Sequence, residues 1–281
     1  MTRTCRVGTL EIGRASPLTV IAGPCVLESL ELGMSVGMRV RDACREHGLQ
    51  YVFKASFDKA NRTSVDSPRG PGLERGVAWL ATIARELGVP CTTDVHEPQQ
   101  CDAVATRVDL LQIPAFLCRQ TDLLFAAGKA AAEHGRAVNV KKGQFLSPGE
   151  MLGPVEKLQE VGARQVLLTE RGTFFGYGRL VNDFIGLSEM GHLEAPGGSP
   201  PVCFDCTHST QRPGTGRVTG GAKGMAPMLA RAATAAGVDA LFLECHPEPS
   251  KALSDAATMM RLDDVPALLR DVATIRRVVR P

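Results

Sequence analysis

The chain lacks an excess of charge of either sign: 32 Lys plus Arg stand against 30 Asp plus Glu, a formal net charge of +2. That balance gives no electrostatic case for a nucleic-acid or anionic-membrane partner, and any basic function has to be local. It also lacks long apolar runs. Nothing approaches the ~18 residues of a membrane span, and the segment 1–6 has no apolar core of the signal-peptide kind, so a cytoplasmic protein is expected. No strand-borne Gly-x-Gly-x-x-Gly is present, which argues against a dinucleotide-binding doubly wound sheet, the main rival fold. A second Cys-x-x-Cys to accompany Cys203 and Cys206 is missing too. A closed structural zinc site would need more sulfur. Strand alternation leaves at most one of these two thiols facing inward, so a redox or zinc-scaffold role is not expected of the pair. The nine cysteines are an odd, scattered set, and most are expected to be small buried hydrophobes.

What is present is ordinary globular composition, 44% hydrophobic and 22% charged, over 281 residues. An alternating, glycine-punctuated opening predicts an N-terminal hairpin at about 4–14. Eight short apolar, β-rich runs follow, at 18–22, 51–53, 91–93, 110–113, 137–140, 166–168, 201–204 and 240–243. Between them lie helix-forming segments such as 30–47, 73–87, 121–134, 148–161 and 222–236. Eight strand–helix alternations in this length predict one (β/α)8 TIM barrel domain over 1–281. A glycine-rich stretch at 213–224 reads equally as an anion-binding nest, a lid or a surface loop.

Each run ends in polar residues with chemical potential, and in a barrel those ends share one mouth. Lys54, Lys59, Arg62, Arg119, Lys141, Lys142 and Arg171 all follow predicted strands. Clustered cations in a nearly neutral protein predict an anionic substrate carrying one or more phosphates, with Lys142 expected to be a solvated surface charge. Cys25, His96, His208, Glu244, His246 and Asp255 are candidate metal ligands, a mixed sulfur, nitrogen and oxygen set that suits Zn2+, Fe2+ or Mn2+.

These residues stand in motifs that resemble a known family. Ile21-Ala-Gly-Pro-Cys25-Val-Leu-Glu-Ser, Phe53-Lys-Ala-Ser-Phe-Asp-Lys-Ala-Asn-Arg62, Ile113-Pro-Ala-Phe-Leu-Cys-Arg-Gln-Thr-Asp-Leu, Asn139-Val-Lys-Lys-Gly-Gln-Phe, Thr169-Glu-Arg-Gly and His246-Pro-Glu-Pro together resemble the 3-deoxy-D-manno-octulosonate 8-phosphate synthases. The resemblance covers essentially the whole chain. It implies a cytoplasmic homotetrameric barrel that condenses phosphoenolpyruvate with arabinose 5-phosphate, releasing phosphate, on the route to the inner-core sugar of lipopolysaccharide.

By the same resemblance, Lys141 and Arg171 would hold the phosphoenolpyruvate phosphate, with Lys54 near its carboxylate and Arg119 in the anion site. Asn61 and Arg62 would take the arabinose 5-phosphate end, and Ser56 and Gln112 complete the expected substrate-binding set. Lys59, Asp94 and His96 would line the reacting centre. The family divides into metal-dependent and metal-independent members at the residue after Ala-Gly-Pro, which is Asn in the latter and Cys25 here. The remaining ligands of the metal-dependent branch match His208, Glu244 and Asp255. Departures are confined to an insert-like stretch at 131–135 and a loop at 196–199. The nearest alternative is the sister condensation with erythrose 4-phosphate, and a second mechanism would use Lys54 or Lys141 as a Schiff-base nucleophile.

Overall fold

The computed structural model describes residues 3–60, 68–213 and 220–280. Eight parallel strands form the barrel: β1 (Thr19–Gly23), β2 (Gln50–Lys54), β3 (Cys91–Asp94), β4 (Leu110–Ile113), β5 (Ala137–Lys141), β6 (Val166–Glu170), β7 (Val202–Asp205) and β8 (Ala240–His246). Each pairs with the next, and β8 pairs with both β7 and β1, so the sheet closes on itself. The predicted (β/α)8 barrel is the observed fold, and every strand falls within two residues of an expected run at its start.

Helices α1 (Leu30–Glu46), α2 (Leu73–Leu87), α3 (Cys101–Ala105), α4 (Thr121–His134), α5 (Leu152–Glu160), α6 (Phe184–Met190), α7 (Ala226–Ala236) and α8 (Val265–Val279) cover the outside. The stretch 131–135 forms the last turn of α4 and its left-handed Gly135 cap. Loop 196–199 lies near the chain start, where Pro196 O accepts from Arg3 Nη1 and Ser199 O from the Arg3 amide.

Two apolar layers hold this arrangement. Outward-facing residues such as Val20, Phe53, Leu111, Leu168, Phe204 and Leu241 pack under the helices. Inward-facing Ile21, Val52, Leu110, Ala137, Leu167, Cys203 and Phe242 fill the lumen. The antiparallel hairpin of Cys5–Val7 and Leu10–Ile12 joins that inner cluster through Cys5, Val7 and Ile12, so it plugs the end away from the strand termini. Burial pushes the Cys5 thiol up to about 12, as expected of an inert core sulfur.

Candidate active site

Side chains two residues apart on a strand share a face, and in this barrel that step carries the lumen from apolar to charged. Above Val52 stands Lys54; above Leu110, Gln112; above Ala137, Asn139 and then Lys141; above Leu167, Thr169; above Cys203, Asp205; above Phe242, Glu244. Lys54, Lys141, Arg171, Asp205 and Glu244 are all buried. Isolated ions would be prohibitively costly there, so each needs a partner.

Lys54 Nζ donates to Glu244 Oε1 at 2.6 Å, to the Cys25 carbonyl at 3.1 Å and to Ser56 Oγ at 3.1 Å. Burial opposes its charge, yet Glu244 and Asp94 raise its pKa above the ordinary lysine value. Lys141 Nζ donates to Asp205 Oδ2 at 2.6 Å and sits 3.7 Å from the centre of the Phe242 ring. Arg171 donates through Nη2 to Gln211 Oε1 at 2.6 Å, while its buried Nη1 has no hydrogen-bond partner among the described residues. A buried guanidinium with a free donor is poised for an anion.

A run of side-chain hydrogen bonds crosses the lumen from strand to strand. Ser56 Oγ donates to Asp94 Oδ2, Gln112 Nε2 to Asp94 Oδ1 at 2.6 Å, Asn139 Nδ2 to Gln112 Oε1 at 2.9 Å, and Thr169 Oγ1 to Asn139 Oδ1 at 2.7 Å. Gln112 therefore fixes the Asp94 carboxylate from below. Lys59, partly buried, reaches Ser56 Oγ at 3.2 Å. Burial opposes its charge, but Cys25, Glu244, Asp255 and Asp94 together raise its pKa well above the lysine value. His96 lies edge-on to Phe57, with Nδ1 buried and without a hydrogen-bond partner among the described residues; burial lowers its pKa, against the pull of Asp94 and Asp58. A neutral imidazole beside a carboxylate can accept or relay a proton.

On the β8 side, ligand atoms of Cys25, Glu244 and Asp255 lie within 4.8 Å of one another. Cys25 Sγ donates to Asp255 Oδ2 at 2.9 Å. Burial first, and then the charges of Asp255 and Glu244, push this thiol well above its ordinary pKa, so it is protonated as it stands. A divalent ion would displace that proton. Glu244 Oε2 is buried with no hydrogen-bond partner among the described residues, and His208 Nε2 stands 3.6 Å from it. His208 Nδ1 is held by Asp205 Oδ2 at 2.8 Å, which leaves Nε2 as the free electron pair. The thiol and the two carboxylates thus converge, and the His208 imidazole stands beside Glu244 without joining the group whose ligand atoms all lie within 4.8 Å of one another; sulfur, nitrogen and oxygen donors of this kind fit Zn2+, Fe2+ or Mn2+. Asp255 owes its place to a left-handed turn, φ 53°, followed by the short strand Met260–Arg261 paired to Cys245–His246.

One expectation is corrected by this geometry. Lys142 is fully buried rather than solvated: its Nζ donates to Leu146 O at 3.0 Å and Thr173 Oγ1 at 3.1 Å, with Glu170 at 3.4 Å. Arg119 has an exposed side chain at the rim and makes no side-chain hydrogen bond among the described residues. His96 and His246 stand apart from the cluster; the latter accepts the Glu248 amide on Nδ1. Asn61 and Arg62 lie outside the described residues, as does most of the glycine-rich stretch. Cys203 and Cys206 face opposite ways, one into the lumen and one under the helices. Asp205 and Phe242 join the site beyond the residues expected from the sequence, Asp205 by holding Lys141 and His208 and Phe242 by its ring beneath the Lys141 ammonium. The signals were there: Asp205 is three residues before His208, and Phe242 shares a strand face with Glu244.

The description DAHP synthetase I family fits residues 4–278 of the chain. Among curated relatives, a protein of Nitratidesulfovibrio vulgaris is 52% identical over 257 residues, 91% of each chain. One from a Synechococcus strain is 51% identical over 269 residues, 95% of this chain and 92% of its own, and one from a Geobacter strain is 46% identical over 280 residues, 99% of each. All three are named 2-dehydro-3-deoxyphosphooctonate aldolase. At this identity and coverage the chain belongs to the DAHP synthetase I family, among its 2-dehydro-3-deoxyphosphooctonate aldolases.

Proposed function

We propose that the barrel mouth condenses phosphoenolpyruvate with arabinose 5-phosphate and water to give 3-deoxy-D-manno-octulosonate 8-phosphate and phosphate. The observation that carries this reading is the pairing of two adjacent features. One is a buried cation set, Lys54, Lys141 and Arg171, with a free guanidinium donor; the other is the Cys25–Glu244–Asp255 cluster beside it. The relatives' shared name selects the octulosonate reaction over its erythrose 4-phosphate sister.

Phosphoenolpyruvate is a masked enolate. Its C3 forms the new bond to the sugar aldehyde carbon, the aldehyde oxygen takes a proton, water adds at C2, and the C2–O bond to phosphate breaks. Both reactants are anions, and holding them together in a water-poor pocket is where most of the acceleration arises. Lys141 and Arg171 take the phosphate, Lys54 lies beside the carboxylate, and Arg119 stands at the entrance. Lys59, Asp94 and His96 supply proton transfer at the reacting carbons, with Ser56 and Gln112 fixing Asp94. Asn61 and Arg62 are assigned to the pentose phosphate. Cys25, His208, Glu244 and Asp255 would hold a divalent ion, a Lewis acid able to orient a water or polarise the aldehyde. Both substrates are charged and do not cross membranes, which supports a cytoplasmic setting.

The test is phosphate release from phosphoenolpyruvate with each sugar phosphate in turn. Turnover with arabinose 5-phosphate and sensitivity to a chelator are expected. Exclusive turnover of erythrose 4-phosphate would overturn the substrate, and a borohydride-trapped adduct on Lys54 or Lys141 would overturn the mechanism.

A further inference from the structure

Asp205 is fully buried at the end of β7, and its two oxygens do different things. Oδ1 accepts the backbone amides of Thr207 at 3.0 Å and His208 at 2.9 Å, so the carboxylate cannot swing. Oδ2 accepts from Lys141 Nζ at 2.6 Å and from His208 Nδ1 at 2.8 Å. The Lys141 ammonium stacks on the ring of Phe242, and the His208 ring centre is 5.9 Å from that ring. One immobile oxygen therefore joins a lysine of the proposed phosphate site to an imidazole whose Nε2 stands 3.6 Å from Glu244 Oε2 of the Cys25–Glu244–Asp255 cluster.

We propose that Asp205 is a positioning residue that couples the two sites, making substrate-anion binding and metal binding mutually favourable. The proposal rests on the functional reading above. While Lys141 shares Oδ2, part of the charge of that oxygen is spent on the ammonium. An arriving phosphate gives Lys141 a second acceptor and relaxes its hold. The oxygen then accepts more strongly from His208 Nδ1–H, which makes Nε2 a better donor to a metal ion. By linkage the effect is reciprocal: the ion must tighten phosphoenolpyruvate by the factor with which phosphoenolpyruvate tightens the ion.

The experiment is equilibrium titration of the metal-free full-length chain with Cd2+, read by thiolate-to-metal absorbance, with and without saturating phosphoenolpyruvate. In the wild type, phosphoenolpyruvate should tighten Cd2+ by about tenfold, within the usual range of such couplings. Asp205→Asn keeps the shape but not the shared charge. It should weaken Cd2+ by about 10–100-fold, as loss of a carboxylate behind a metal-binding histidine does, and bring the coupling factor close to one. Lys141→Met, read in the same way, should tighten Cd2+ even without phosphoenolpyruvate, because Oδ2 is no longer shared with an ammonium, and should lose the coupling; the tightening cannot come from lost phosphoenolpyruvate binding and guards against a misfolded Asp205 variant. Coupling in Asp205→Asn equal to the wild type would overturn the proposal, as would coupling that survives in Lys141→Met. Failure of the underlying reading looks different: the thiolate band would then persist in Cys25→Ala.

Discussion

Cys25 makes its thiol hydrogen bond to a residue 230 positions further along the chain, which is why its role depends on the fold rather than on neighbours in sequence. Replacing it by Asn gives the residue that the resemblance implies for metal-independent members. Cys25→Asn is expected to lose bound metal and, because a Lewis acid is worth several kcal/mol, to lose about 10²-fold in activity. Metal analysis and phosphate release check this; undiminished turnover by a metal-free variant would show that the ion contributes little. Asp94 gives a test by pH. Burial opposes its ionisation, but Lys54, Lys59 and His96 prevail and hold its carboxyl well below the aspartate range. A depressed folded pKa stabilises above the unfolded value, about 3.9, and that stabilisation is lost as pH falls through the folded one. Asp94→Asn should therefore cost on the order of 3 kcal/mol near neutrality, the low end for breaking a buried pair because Glu244 still partners Lys54. The gap to the wild type, read by denaturant titration, should narrow only below about pH 4. A constant gap from pH 7 to pH 2 would contradict the assignment.

At the level of elements, the junction between β1 and α1 sets the cluster in place. The Ser29 side chain caps α1 by accepting the Leu32 amide at 3.1 Å, and the backbone of Cys25 is tied to Ser56 just before it. Gly23 closes β1, and a Cβ there would stand 2.0 Å from the Lys54 carbonyl oxygen. Gly23→Ala must push β1 and β2 apart where they deliver Cys25 and Lys54. Its activity is expected to fall by at least 10²-fold through misplaced reacting groups, whereas Ser29→Ala should cost only about 1 kcal/mol of stability and leave turnover largely intact. Equal activities in the two variants would refute the distinction. The strands were readable because each is a short β-rich run cut off by polar residues. Short α3 and α6 were not anticipated, since five to seven residues carry too little periodicity to register. Lys142 was misjudged for a related reason. Alternation turns it away from Lys141, but outward at that height means toward Glu170 at the end of β6 and Thr173 of the loop after it, a long-range fact no local pattern carries. The gathering of Cys25, Glu244 and Asp255 was legible through matched motifs, while the sharing of Asp205 by Lys141 and His208 required coordinates.

On the scale of the whole molecule, a chain with almost no net charge concentrates cations at one end of a barrel and leaves aromatic side chains exposed around the same loops. After β6 the backbone forms a finger pinned by reciprocal amide–carbonyl bonds between Thr173 and Val181 at 2.9 and 2.8 Å. Its outer residues Phe175 and Tyr177 are 95% and 99% exposed, and Phe175 is held at φ 73°, a conformation bulky residues avoid. Phe116, Phe145 and Ile185, on or beside the loops that follow β4, β5 and β6, are also exposed. Two aromatics presented on a fixed finger favour burial by another copy of the chain, each worth about 1.5–3 kcal/mol when covered. Self-association is therefore expected, and because the resemblance implies a homotetramer, a four-chain species is the outcome to look for in sedimentation. Phe175→Ser combined with Tyr177→Ser should remove several kcal/mol from every interface that uses the finger and shift the species to a smaller one at micromolar concentration. Because neither residue touches the buried cluster, Cd2+ binding by the separated chains should survive, which distinguishes lost assembly from lost folding. A wild type that sediments as a single chain would remove the assembly from the account, and an intact tetramer in the double variant would move the interface away from the finger.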